Sequence, residues 1–135
     1  MSYLSPKAGL FALRILISAQ LVIHGSYRAI TGGAVGFGGF LTEQGIPFGV
    51  PIAWAITIAE ILGGLTLMAG KFIRPLVGWF VIELVLGIVL VHSREGWFVV
   101  GGGRNGMEYS VVLIGGLAIV GLTSEGWAGA RAEER

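Results

Sequence analysis

The sequence predicts an all-α integral membrane protein: a four-transmembrane-helix bundle with a short interfacial helix between spans one and two. Three observations carry this. The mean hydropathy is +0.82, and 54% of the residues are hydrophobic against 13% charged, well outside the balance of a soluble domain. The apolar residues gather into four stretches, at about 8–29, 51–70, 74–92 and 106–123, each near the length that crosses roughly 30 Å of hydrocarbon as a helix. Inside those stretches charge is almost absent. The chain is thus expected to form one membrane domain over residues 1–135.

Nine basic and eight acidic residues leave a formal net charge of +1, which gives no reason to expect nucleic acid as a partner. There is no cysteine, so disulfides, thiolate nucleophiles, iron–sulfur ligation and zinc–thiolate sites are all excluded.

Span one follows Lys7 and is interrupted by Arg14, with no small-residue cleavage site after it, and is expected to be retained. The longest connection, residues 31–50, is rich in glycine and apolar residues; Phe37 to Gln44 are expected to form a surface helix ended by Gly45. Span two is free of charge from Pro51 to Gly70 except for Glu60. Pro51 suits a first helical turn and Gly70 a helix end. Span three is free of charge from Pro75 to Val91 except for Glu83. Span four follows Asn105-Gly-Met-Glu108, which reads as a capping box. Glycines at 63, 64, 78, 87, 115, 116 and 121 favour close helix packing.

Lys and Arg are retained on the cytoplasmic side of membrane proteins. Lys7, Arg14, Lys71, Arg74, Arg131 and Arg135 fall at one level and Arg28, Arg94 and Arg104 at the other, which places both termini in the cytoplasm. Aromatic residues mark the same two levels: Tyr27, Trp54, Trp97 and Tyr109 at the outer, Tyr3, Phe72, Trp79 and Trp127 at the inner.

Ionisable groups within hydrocarbon cost several kcal/mol unless they face protein or water, so Arg14, Glu60, Glu83 and Glu108 are the first candidates for function. Counted from the inner ends of their spans, Arg14 and Glu60 differ in depth by about 5 Å, and are expected to pair. Such a pair either fixes helix packing or holds a carboxylate that binds a quinone carbonyl or relays a proton. Gln20 adds a further hydrogen-bonding group. A second group, His24, His92, Asn105, Glu108 and Tyr109, gathers near the outer interface. Two histidines suggest metal or haem, but no spacing motif supports either, so no metal is assigned; hydrogen bonding at the interface is the plainer reading. Nine residues separate Glu83 from His92, which on a regular helix points them to opposite faces. If His92 joins the outer group, Glu83 is expected to turn to a different helix, stay protonated in lipid or contact another subunit, and the last makes it the partner-interface candidate.

Taken in order, Arg14, the His24-Gly25 pair, GIPF at 45–48, AEILGGLTLMAG at 59–70, Arg74, His92 and NGMEY at 105–109 resemble the DoxX family over nearly the whole chain. The resemblance implies a four-helix bundle in a bacterial-type inner membrane and an association with redox work. Family members serve as a membrane subunit of thiosulfate:quinone oxidoreductase and as the membrane partner of a superoxide dismutase and a thiosulfate sulfurtransferase. The expectation is an accessory or quinone-contacting subunit of a respiratory or quinone-linked redox complex, with lipid and other membrane or redox subunits as partners. It carries no intrinsic cofactor, and quinone is the one cofactor the resemblance brings. The candidate polar interior comprises Arg14, Gln20, His24, Glu60, His92, Asn105, Glu108 and Tyr109. A stand-alone binder or carrier of a small apolar molecule or lipid is the alternative, and a purely structural subunit a third. Catalysis by the chain alone is not expected, since no nucleophile with an adjacent base and no phosphate loop is present.

Overall fold

The computed structural model describes residues 5–124; Tyr3, Trp127, Arg131 and Arg135, used above to assign levels, lie outside them. The described chain forms α1 (Pro6–Ile30), α2 (Gly33–Glu43), α3 (Gly49–Met68), α4 (Ile73–Leu90), a 3-10 turn (His92–Arg94) and α5 (Glu108–Thr123). It is all helical, with no strand among the described residues.

Local sequence sets most of these limits. Ser5 caps α1 by accepting from the Ala8 N–H, with Pro6 in the first turn. Both α2 and α3 end in the same reciprocal arrangement. Gly45 and Gly70, at φ +82° and +75°, turn the chain while paired N–H groups close back on Leu41 and Thr42, and on Thr66 and Leu67. The interfacial helix begins four residues earlier than expected, at Gly33. The expected capping box at span four is not formed: α5 starts at Glu108 after Met107, with no side-chain cap. Asn105 adopts a left-handed conformation, and the Glu108 carboxylate instead accepts from the Val99 N–H at 2.9 Å.

Three helices, α1, α3 and α4, are long and apolar enough to cross a membrane, and α5 is a shorter apolar helix beside them. Large apolar side chains, among them Leu16, Ile23, Leu62, Ile82, Val89, Val112 and Leu122, are exposed along these helices. Water would penalise that surface; a lipid solvent does not.

The helices are arranged as an open ring. α1 packs on both α3 and α5, α5 packs on α4, and α3 and α4 meet only slightly. Their meeting point lies near the α3–α4 turn, where a Cβ on Gly63 would lie 2.9 Å from the Phe80 ring. The apolar core, including Ile17, Leu67, Val77, Phe80, Leu117 and Val120, is concentrated in that half of the bundle. Toward the other end α3 and α4 are not packed together, and α2 lies across the N-terminal end of α3. Its seat depends on glycine: a Cβ on Gly38 would collide with the Val50 backbone, and one on Gly49 with the Gly38 carbonyl.

Candidate functional site

The splayed half of the bundle encloses a cavity of about 460 Å³. Each wall is a helical stripe. α4 contributes Trp79, Ile82, Glu83, Leu86, Gly87 and Leu90, α3 contributes Ile52, Ile56 and Glu60, and α2 covers the end with Phe37, Phe40 and Leu41. The spacings of three and four residues put each set on one face of its helix. His24 and Arg28 from α1, His92 and Ser110 complete the lining. The walls are thus apolar, and the polar groups are few and convergent, as in small-molecule sites generally.

Glu60, 4% exposed, is the centre of the polar group, but its partner is not the expected one. Arg28 Nη1 lies 2.9 Å from Glu60 Oε2, Arg28 Nη2 donates to Oε1 at 3.2 Å, and Nη1 donates to the Thr57 hydroxyl at 3.3 Å. The Phe37 ring stacks 4.8 Å from the guanidinium carbon. Arg14 is far away, its guanidinium covering Gly70 at the C-terminal end of α3 and its charge 5.3 Å from the Phe11 ring. That position suits a cation, because unpaired helix carbonyls gather there. The depth argument failed because α1 and α3 do not start level. Gly25, not Arg14, stands opposite Glu60, with room for no more than a hydrogen between helices.

Glu83 also departs from expectation. Glu83 and His92 are expected on opposite faces of the span, with Glu83 turned to another helix, to lipid or to a partner subunit, but both line the same cavity. The reason is that α4 ends at Leu90 and the chain tightens into a 3-10 turn at His92, so nine residues of regular helix no longer separate the two. The Glu83 carboxyl lines the same cavity as Glu60 and the Trp79 ring. Its Oε2 is buried with no hydrogen-bonding partner among the described residues. Two carboxyl groups thus face a single arginine. Two carboxylates in a low-dielectric site with one cation favour a proton on one of them.

The other candidates separate into two sets. His24 lines the cavity with Glu60 and His92. One ring nitrogen of His92, Nδ1, lies 2.7 Å from the Asn105 carbonyl. A carbonyl only accepts, so Nδ1 carries the hydrogen, and in the neutral ring Nε2 is the acceptor. Asn105 and Glu108 therefore act on the 91–107 connection, through a main-chain carbonyl and a carboxylate respectively, and do not line the cavity. Tyr109 donates to Gln20 Oε1 at 3.3 Å and ties α5 to α1 outside it.

Arg28, Thr57, Trp79 and Ser110 were not singled out from sequence as parts of the site. For Arg28 a signal existed: it follows His24 by four residues on α1, hence on the same face.

A family model, DoxX, matches residues 9–93, a span that runs from the first turn of α1 past the end of α4 and includes every ionisable side chain lining the cavity. No curated protein and no solved structure matches the chain.

Proposed function

Because the chain belongs to the DoxX family of multi-pass membrane proteins, we propose that it is a membrane subunit of a respiratory or quinone-linked redox complex and that its cavity takes a quinone. One observation supports this above the others: a mostly apolar cavity walled by α3 and α4 has Arg28, Glu60 and Glu83 in its lining. A molecule dissolved in the bilayer enters between the helices without crossing water, its apolar tail against Ile56, Ile82 and Leu86. Its carbonyl meets a proton-bearing carboxyl or the arginine. The subunit sits in a bacterial-type inner membrane with both termini in the cytoplasm and α2 outside. Arg28, turned inward to Glu60, no longer counts among the outer basic residues, which sharpens the charge asymmetry behind this orientation. Larger redox subunits of the complex would supply the electrons.

Decylubiquinone added to the purified protein should quench its tryptophan fluorescence saturably, with Trp79→Phe removing most of the change. Glu83→Gln should weaken binding roughly tenfold, equivalent to losing about 1.4 kcal/mol. Quenching that is not saturable, or that survives filling the cavity by Gly87→Trp, contradicts the assignment. The same cavity suits a stand-alone binder of a small apolar molecule or lipid; saturable binding of a fatty acid with none of decylubiquinone selects that reading.

A further inference from the structure

The polar side chains of the cavity are arranged in sequence along it. Glu83 and Glu60 stand near the middle of α4 and α3, and His24 lines the same cavity next to Gly25, which packs on Glu60. His92, at the end of α4 beside the exposed 91–107 connection, has its ring near Gly87, one turn from Glu83. We propose that Glu83, Glu60, His24 and His92 form a proton path between the middle of the membrane and the water at the α2 end. This deepens the quinone reading, since the proton carried is one that the ligand's hydroxyl gives up or takes.

The geometry suits each part to its task. The two carboxyls line one cavity beside a single guanidinium and hold one proton between them. Arg28 balances the remaining negative charge, which keeps that proton exchangeable instead of leaving two full carboxylates in a low-dielectric site. His92, with Nδ1 fixed on the Asn105 carbonyl, presents Nε2 as an acceptor. In each hop one O–H or N–H bond breaks and another forms. The ligand's O–H is replaced by an O–H on Glu83, the pair's earlier proton becomes an N–H on His24, that proton moves to Nε2 of His92, and His92 releases it to water. No electron is gained or lost in these steps. The cavity has room for waters to complete the chain. Every titratable or charged group facing the path is accounted for among the described residues: His24 and Arg28 from α1, Glu60 from α3, Glu83 from α4, His92 after it, and Tyr109 of α5 within electrostatic range of Glu60. The α2 wall contributes apolar side chains.

The test uses the full chain in detergent, without quinone, and infrared spectroscopy on transfer from H2O to D2O. At neutral pH the spectrum should contain the C=O band of a protonated carboxylic acid, shifted down in D2O and lost in Glu83→Gln. Its exchange should slow at least tenfold in His24→Phe/His92→Phe, with Gln20→Leu, off the path, exchanging at the original rate. If the double variant fails to fold, His92→Gln alone, near the aqueous end, should still slow the exchange severalfold. Absence of the acid band in the folded protein, or unchanged exchange in folded histidine variants, overturns the path. Because no quinone is present, that failure is separate from a failure of decylubiquinone to bind.

Discussion

Replacing Arg28 with Ala lowers the unfolding free energy by about 3–5 kcal/mol, the range expected when one partner of a buried ion pair is removed and the other stays behind. Glu60 is buried and Arg28 holds both of its oxygens, so no other group replaces the lost charge. The Thr57 hydroxyl already donates to the Ala53 carbonyl and has no second hydrogen to offer. The double replacement Arg28→Met/Glu60→Leu recovers most of the loss, because apolar side chains of similar size need no compensation. Arg14→Ala costs only about 1 kcal/mol, the scale of a cation at a helix C-terminus. Denaturation by SDS in mixed micelles, followed by circular dichroism, measures all three. A larger loss for Arg14→Ala than for Arg28→Ala would show that the wrong arginine has been assigned to Glu60.

The second large effect concerns the cover of the cavity. Gly38→Val places three carbons where the Val50 backbone already lies, and neither main chain can yield without lifting α2 from α3. Overpacking of this kind costs about 1–3 kcal/mol, enough to loosen an eleven-residue helix that packs mainly on α3. The chain has no cysteine, so Phe40→Cys supplies a single label site under α2. A water-soluble maleimide should react with it roughly tenfold faster in the Gly38→Val background, a shift of about 1.4 kcal/mol. Equal rates in the two backgrounds would mean that α2 does not seal the cavity.

These two effects also mark where reading the sequence succeeded and where it stopped. Apolar stretches and helix punctuation located the membrane-spanning elements, since hydrophobic length and glycine turns such as Gly45 and Gly70 are local properties of the chain. The relative height of two helices is not local. It is set by where small residues allow contact, and Gly25 against Glu60 or Gly64 against Ser18 and Val22 establish a register that counting from span ends does not give. That single quantity decided whether Arg14 or Arg28 met the buried glutamate. Glu83 was misplaced for a related reason: helical phase carries over nine residues only if the helix does, and α4 stops short of His92. Individual residues of the site were more legible than their partners. His24, Glu60 and His92 stood out because ionisable side chains are costly in lipid. Arg28, by contrast, passed for an interfacial arginine because it lies near the end of its span.

The most direct test of a quinone-linked role is purification of the protein from its own membrane in mild detergent, with separation under non-denaturing conditions and analysis of the co-migrating chains and of the extracted lipid. The account predicts a large assembly that contains redox subunits and carries quinone, with the quinone lost when Glu60 and Glu83 are both replaced by Leu. A small oligomer of this chain alone, free of quinone, would contradict it.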